Sequence, residues 1–236
     1  MKLSEATVLV VDDEPALREI FAKWLVAVGC GKVHTAADGL AALAVLEAEP
    51  IDLLITDLRM PVMDGVTLVR RLMETGASLP SIVFISGFGD VDRKEMYALG
   101  VEAFIAKPFD REELLGVLER ALAERASLWL TPMPVVPRQT MQFEACCFGG
   151  VKDKRCLRLG RGGFSAHYAG PLSVGRVAFR CLLASEEVEL AGEGYVRWRS
   201  KTAETAGIEF VFLEPSCRAW LLEAIAAADP RSFIPE

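Results

Sequence analysis

The first half of the chain alternates short apolar segments with longer amphipathic ones, and this alternation constrains the fold more than any other sequence feature. Apolar segments such as VLVV and LLIT lack polar alternation, which is typical of strands buried on both faces. Because each connecting helix must bury its apolar stripe against the sheet, the pattern predicts an α/β fold with a five-stranded parallel sheet. The predicted strands span 7–11, 32–35, 53–56, 81–85 and 103–106, and the predicted helices span 16–28, 39–47, 66–75, 90–99 and 112–125.

Charged and polar residues follow the ends of four predicted strands. Asp12 and Asp13 follow the first strand, Asp57 the third, Ser86 the fourth and Lys107 the fifth. The carboxyl ends of parallel strands share one edge of the sheet, so we expect these side chains to converge there. Three carboxylates in one pocket need a counter-charge, which a hard divalent ion such as Mg²⁺ and a fixed lysine supply. One carboxylate can then attack a phosphoryl group, while the metal ion, the lysine and the hydroxyl neutralise the phosphoryl oxygens. The sequence therefore predicts a phosphoryl-acceptor site.

Taken singly, these residues have simpler interpretations. Asp12 and Asp13 alone are compatible with a helix N-cap, and Lys107 alone with a solvated side chain. Ser86 and Phe104 alone are compatible with a turn serine and a core aromatic residue. The combination of residues at successive strand ends favours the acceptor site over these alternatives.

The motifs VLVVDDEP, ITDLRMPVMDG, FISG and AKPF give residues 5–126 a strong resemblance to the receiver domains of two-component response regulators. The resemblance implies a flavodoxin-like fold and phosphorylation by a sensor histidine kinase. It implies that Asp57 is the phosphoacceptor and that Asp12, Asp13 and Asp57 hold Mg²⁺. It also implies that the hydroxyl of Ser86 moves toward the phosphoryl group and that Lys107 contacts it.

The same resemblance implies roles for three further residues. Phe104 is the aromatic residue that reports the switch, and the peptide bond before Pro108 is expected to be cis. Arg59 lies two residues after the acceptor, where a side chain influences dephosphorylation in a direction that the resemblance leaves open. Phosphoryl transfer to and from such a domain is self-catalysed, so we expect a signalling protein that is not a metabolic enzyme. A phosphorylation-dependent homodimer stays open.

Charge and composition exclude several other classes. The residues before 128 include 13 basic and 21 acidic side chains, whereas those after it include 13 basic and 12 acidic ones, so neither half has the basic excess typical of nucleic-acid-binding domains. The amino-terminal segment turns acidic after one short apolar run, and no uncharged apolar stretch reaches the roughly 20 residues of a membrane span. We therefore expect a soluble, cytoplasmic chain without membrane insertion. Its six cysteines lack metal-site spacing and are expected to be free thiols.

The segment LWLTPMPVVP separates two regions that differ in the periodicity of their apolar residues. Its three prolines in six residues cannot continue a helix, and its apolar side chains are expected to pack against one domain or both. Short segments with period-two alternation follow, and they predict a small antiparallel β-barrel with a carboxy-terminal helix over 216–228. The predicted domains are a receiver over 1–127, a proline-rich linker over 128–137, a barrel domain over 138–228 and a tail over 229–236.

Residues 138–226 resemble the PilZ family through RLGRGGFSA, LSVGRVAFRCLL, LAGEGYVRWRS and AGIEFVFL. Many members bind cyclic di-GMP through R-x-x-x-R and D-x-S-x-x-G motifs. Here Arg158 replaces the aspartate and Gly160 the serine, while Arg138 is followed by Gln142 in place of the second arginine. Each hydrogen bond lost to a buried polar ligand costs roughly 1–3 kcal/mol, so the departures favour output by protein contact. The open alternative is a phosphate or cyclic di-GMP site built from Arg138, Arg155, Arg158 and Arg161.

Two other outputs have little support in the sequence. A transcription factor requires a basic recognition helix after residue 138, yet the predicted helix over 216–228 contains one base, Arg218. A cyclase or phosphodiesterase requires clustered metal-binding carboxylates, and residues 129–236 contain two aspartates, neither beside a carboxylate cluster. DNA is therefore not expected as a partner, and the downstream protein target is not identified by the sequence.

Overall fold

The chain forms two compact units in the computed structural model, which describes residues 1–75, 79–87, 92–145, 147–148, 156–200, 204–228 and 232–235. Unit 1 comprises Met1–Val91 and Val101–Glu124, and unit 2 comprises Asp92–Gly100 and Arg125–Glu236. Among the helices in these described ranges, none is both long and apolar enough to span a bilayer. Arg155 and the first residues of the helix predicted over 90–99 lie outside the described residues.

Unit 1 contains the predicted five-stranded parallel sheet. Its strand order is β2-β1-β3-β4-β5, and all neighbouring strands pair in parallel. Every residue of the central strand β3 is buried, which explains why its sequence lacks polar alternation. The strands are β1 Thr7–Val11, β2 Lys32–Ala36, β3 Leu53–Asp57, β4 Ser81–Ser86 and β5 Val101–Ala106. The helices of this unit, after a single 3-10 turn over Leu3–Glu5, are α1 Pro15–Ala27, α2 Gly39–Ala48, α3 Gly65–Glu74 and α5 Arg111–Leu122.

Aspartate side chains fix the beginning of three helices in unit 1. The carboxylates of Asp38, Asp64 and Asp110 accept hydrogen bonds from backbone N–H groups in the first turns of α2, α3 and α5. Each cap satisfies donors that the helix itself cannot pair. The turns before these helices are therefore rigid, and they hold the loops at the carboxyl edge of the sheet in place.

Unit 2 is built around a seven-stranded sheet of order β6-β10-β11-β12-β9-β8-β7. The prediction of a small antiparallel barrel is correct for four of the six strand pairs, but β6 pairs in parallel with β10 and β7 in parallel with β8. About thirty residues separate β6 from β10 along the chain, which is long enough for the crossover that parallel pairing requires. The strands are β6 Gln139–Ala145, β7 Cys147–Phe148, β8 Cys156–Leu159, β9 Gly163–His167, β10 Gly175–Leu183, β11 Val188–Arg199 and β12 Thr205–Leu213. The helices are α4 Arg93–Ala98, α6 Arg125–Leu128 and α7 Pro215–Ala228.

Aromatic side chains fill the core of unit 2. The fully buried ring of Phe164 packs against Phe179, with ring centroids 5.2 Å apart, and against Phe210 at 5.6 Å. Trp129, from the proline-rich segment, meets Phe210 edge to face at 5.3 Å. These contacts make the segment around Trp129 part of the core of unit 2.

The expectation that all apolar side chains of 128–137 pack is only partly correct. Trp129 and Met133 are buried, but Val135 and Val136 are 57% and 82% exposed and Leu130 is 49% exposed. The prolines fix the backbone direction, so each side chain that faces away from the core stays in solvent.

The expectation that all six cysteines are free thiols is wrong, because Cys156 forms a disulfide bond. Cys181 and Cys217 are buried free thiols and Cys30 is a partly buried one, whereas Cys156 is disulfide-bonded. In the parallel β7–β8 ladder the backbone of Cys156 lies opposite Cys147. That pairing depends on the tertiary fold, and residue spacing in the sequence does not reveal it.

Candidate functional site

Three carboxylates converge at the carboxyl edge of the parallel sheet in unit 1. Asp12 and Asp13 follow β1, and Asp57 ends β3, the strand beside it. One carboxylate oxygen from each residue lies within 4.8 Å of the others. Asp12 is 1% exposed and Asp57 9%, whereas Asp13 is exposed, so the cluster is open to solvent on one side. Oxygen donors of this kind suit a hard divalent cation such as Mg²⁺.

The ammonium of Lys107 neutralises part of this negative charge. Its Nζ donates to Asp57 Oδ2 at 2.5 Å and to Asp12 Oδ2 at 3.1 Å. Burial opposes the charged form of Lys107, but its hydrogen bonds to the two carboxylates and their attraction outweigh that cost and raise its pKa. The backbone N–H of Lys107 donates to the carbonyl of Ser86 at 2.8 Å, and the peptide bond between Lys107 and Pro108 is cis. The lysine is therefore fixed in its charged form between two carboxylates.

Ser86, Phe104 and Arg59 lie around this cluster in different ways. The hydroxyl of Ser86 donates to the carbonyl of Gly87 at 2.6 Å. The half-buried ring of Phe104, on β5, packs against Phe84 on β4 with centroids 5.8 Å apart. The backbone N–H of Arg59 donates to Asp57 Oδ1 at 3.0 Å, so each oxygen of Asp57 accepts a hydrogen bond.

Sequence reasoning missed two residues that shape the site. Arg18 on α1 donates from Nη1 to the carbonyl of Asp12 at 2.5 Å, which holds the loop after β1 against the helix. A Cβ atom on Gly65 would lie 2.3 Å from the carbonyl oxygen of Asp57, so this position excludes every side chain. The motif MPVMDG contained the signal for Gly65, whereas nothing in the spacing of Arg18 indicated its contact.

The arginines considered for a second site occupy separate elements of unit 2. Arg138 is exposed just before β6, and Arg158 lies on β8 opposite Ser165 of β9. Arg161 lies in the loop between β8 and β9, where its Nη2 donates to the carbonyl of Gly100 at 2.8 Å. Gln142 on β6 pairs with Arg180 on β10. The contact shown for the Arg161 guanidinium is thus with a backbone carbonyl of this chain.

The comparisons with known proteins concern the first half of the chain. A family model described as the response regulator receiver domain matches residues 8–119. The chain is 37% identical over 122 residues to the response regulator Rre1 of Synechocystis sp., covering 50% of this chain and 52% of that protein. It is 39% identical over 121 residues to the transcriptional regulatory protein FixJ of Rhizobium meliloti, covering 50% and 58%.

Among solved structures, the chain is similar to the chemotaxis response regulator CheY4 of Vibrio cholerae. The identity is 34%, the match covers 50% of this chain and 98% of that one, and the TM-score is 0.46. The chain spans only 52% and 58% of the two curated relatives.

Proposed function

We propose that this chain, whose residues 8–119 are a response regulator receiver domain, acts as a two-component response regulator phosphorylated on Asp57 by a sensor histidine kinase. The observation that carries the proposal is the cluster of Asp12, Asp13 and Asp57 with the ammonium of Lys107 bonded to the acceptor. The proposal describes a cytoplasmic signalling protein whose only chemistry is the gain and loss of its own phosphoryl group.

The residues of the cluster divide the work of phosphoryl transfer. A carboxylate oxygen of Asp57 attacks the phosphorus of the phosphohistidine; a P–O bond forms, the P–N bond breaks, and the electron pair leaves with the imidazole. Asp12, Asp13 and Asp57 would hold Mg²⁺, which when bound would supply positive charge to the phosphoryl oxygens. Lys107 supplies a second, fixed positive charge, and the exposed side of the cluster at Asp13 admits the donor. Ser86 provides a hydroxyl that can turn from Gly87 toward the new phosphoryl oxygens.

For unit 2 we propose a PilZ-like output domain that acts by protein contact. The support is the chemistry of β8 and the loop that follows it, where Arg158 on β8 and Gly160 in the loop stand in place of an acidic and a hydroxyl side chain. A guanidinium cannot accept hydrogen bonds from a guanine N–H, so the ligand would face donors with donors. The alternative is a cyclic di-GMP effector that uses Arg138, Arg155, Arg158 and Arg161 to bind the phosphates.

A labelling experiment tests the phosphoacceptor. Incubation with an acyl phosphate and Mg²⁺ should add one phosphoryl group to the wild type, detected by intact mass, and none to Asp57→Asn. Asp64→Asn is the matched control, because it makes the same chemical change at the N-cap of α3, where asparagine caps as well as aspartate. The control should label as the wild type does. Labelling of Asp57→Asn at the wild-type rate would refute the assignment.

A further inference from the structure

The strand β6 has a neighbouring strand along one of its two edges. It lies at one end of the seven-stranded sheet, where Gln139–Ala145 pair in parallel with β10 in an unbroken register. Within the described residues, no backbone hydrogen bond is made along the other edge of β6, and β7, which pairs with β8, begins only at Cys147. A strand in this position presents backbone donors and acceptors with which a further strand can pair.

The sequence of β6 lacks the features that usually protect a terminal strand from association. Lysine, proline, a β-bulge or very short length all discourage pairing with another chain. The seven residues QTMQFEA contain neither lysine nor proline, and their continuous register with β10 shows no bulge. At the other end of the strand order, β7 is only two residues long. Of these two terminal strands, β6 is therefore the one suited to accept a partner strand.

Two opposite charges lie on the exposed face of β6. Arg138 directly precedes the strand and Glu144 lies near its end, and both side chains are exposed, as are those of Thr140 and Gln142 between them. Six residues of extended chain span roughly 20 Å, so the two charges cannot pair with each other within one chain. Neither charge has an ion-pair partner in the part of the chain that the structure describes.

Other arginines on the strands of this sheet do have acidic partners. The guanidinium of Arg180 on β10 pairs with Glu189 and Glu214, and that of Arg197 on β11 pairs with Glu209. The two charges at the ends of β6 differ from these, since each lies in solvent without a counter-charge. A partner strand that supplies both counter-charges would complete the pattern seen on the neighbouring strands.

Antiparallel pairing of β6 with the same strand of a second copy supplies both counter-charges. With the twofold axis at Met141, Arg138 of each copy lies opposite Glu144 of the other, and Thr140 lies opposite Gln142. Directly opposite residues of antiparallel strands are close enough for such pairs to stabilise the sheet. A shift of the register by two residues places each arginine opposite an uncharged residue, and parallel pairing in register places like charges side by side. One arrangement of β6 is therefore self-complementary, as a symmetric interface requires.

We infer that β6 is a self-association surface, through which two copies of this chain form a symmetric dimer by antiparallel pairing of Gln139–Ala145. The inference goes beyond the proposed function, because it does not depend on a phosphoryl group on Asp57. A single pair of strands buries less area than a standard protein interface, so the dimer is weak and reversible. It joins the proposed output domains of two chains, which raises the avidity for a target that has two binding sites.

Sedimentation equilibrium of the full chain, without a phosphodonor, tests the dimer. The wild type should associate reversibly at concentrations between about 1 µM and about 1 mM. Glu144→Arg places two pairs of like charges in the interface and should weaken association by about tenfold or more. Glu223→Arg is the matched control, because it makes the same change at an exposed position of α7 and should associate as the wild type does. A wild type that stays monomeric over this range would overturn the inference, and so would equal association of Glu144→Arg and the wild type.

A mixture of two variants tests the register. Arg138→Glu also places like charges opposite each other, so by itself it should associate as weakly as Glu144→Arg. In an equimolar mixture every arginine of one variant lies opposite a glutamate of the other, and a heterodimer should form about as readily as the wild-type dimer. A mixture that associates no better than the separate variants would contradict the proposed pairing.

Repeating the measurement with an acyl phosphate and Mg²⁺ separates this inference from the proposed phosphoacceptor. The dimer should be present before labelling, because β6 belongs to unit 2 and the acceptor to unit 1. A dimer found only in protein that intact mass shows to be labelled would refute the inference and leave the phosphoacceptor standing. A dimer in protein that cannot be labelled would support the inference and refute the phosphoacceptor alone.

Discussion

Replacing Lys107 by methionine should destabilise unit 1 and make it depend on Mg²⁺. Lys107 makes two charge-assisted hydrogen bonds, to Asp57 and to Asp12, whose side chains are 12% and 2% exposed. Hydrogen bonds to charged groups contribute about 1.5–3 kcal/mol each, and the 22% exposure of the lysine side chain reduces the sum by solvent screening. We expect a loss of about 2–4 kcal/mol without Mg²⁺, because two poorly solvated carboxylates remain without their counter-charge.

Magnesium should recover much of this loss. A ligand at 100 times its dissociation constant adds about 2.7 kcal/mol to the free energy of unfolding. In Lys107→Met the ion no longer competes with an ammonium for the carboxylates, so the stabilisation by Mg²⁺ should be larger in the variant than in the wild type. The lysine pKa is raised in the folded state, so its contribution is complete below the ordinary value of 10.5 and is lost as pH rises above that value. The difference between wild type and variant should therefore shrink in strong alkali.

Hydrogen exchange of the β1 and β3 amides measures this effect, because it reports the opening of unit 1 separately from that of unit 2. Lys23→Met is the control: Lys23 pairs with Glu19 at 2.7 Å, but both side chains are exposed, and little change is expected. A Lys107→Met variant within about 0.5 kcal/mol of the wild type without Mg²⁺ would show that the paired lysine does not stabilise the cluster. If Mg²⁺ raised the free energy of unfolding of both proteins by the same amount, the lysine and the ion would not compete for the carboxylates.

Three further predictions concern unit 2. Burial raises the pKa of Tyr97 to about 12, so this phenol should ionise well above the ordinary pKa of 10.0. An ultraviolet titration of the wild type, compared with Tyr97→Phe, measures this ionisation. Because the folded-state pKa is the higher one, the free energy of unfolding should fall as pH rises from about 10 to about 12. Phe164→Ala should lower the free energy of unfolding in urea by about 3–5 kcal/mol, whereas Leu182→Ala, at a side chain 44% exposed on the same sheet, should cost far less; similar losses would contradict the packing described for the core. Calorimetric titration with cyclic di-GMP should give no saturable heat at micromolar concentration, and tight binding would show that a ligand displaces residues 232–235 from the loop over residues 160–163.

The carboxylate cluster that we propose as the acceptor site was largely predictable from the sequence because its residues lie at strand ends. Asp12, Asp57 and Lys107 each follow an apolar run, and parallel pairing of those runs brings their ends to one edge of the sheet. The local sequence pattern therefore determined both the strands and the edge of the sheet at which their carboxyl ends lie. The contact of Arg18 with the carbonyl of Asp12 was not predictable, since it depends on the angle at which α1 packs.

In unit 2, by contrast, the sequence predicted less of the structure than in unit 1. Alternation predicted strands but not their partners, because period two indicates which side chains share a face and says nothing about which strand lies beside which. The parallel pairing of β6 with β10 joins strands about thirty residues apart, and the position of Cys156 opposite Cys147 depends on the register of β7 and β8. Arg161 shows the consequence for function: the sequence left a phosphate ligand open as an alternative, and in the structure the guanidinium donates to the carbonyl of Gly100.

By itself, then, the sequence determined the parallel sheet of unit 1 and the convergence of Asp12, Asp13, Asp57 and Lys107, because both follow from the periodicity and order of short segments. Only the tertiary structure decided that α4 belongs with unit 2 and that residues 232–235 accept hydrogen bonds from the loop over residues 160–163. These contacts join residues such as Tyr97, Arg161 and Phe233 that are more than sixty positions apart along the chain. No local pattern encodes such a contact, since its energy comes from the complementary shapes and hydrogen bonds that appear only when the segments are brought together.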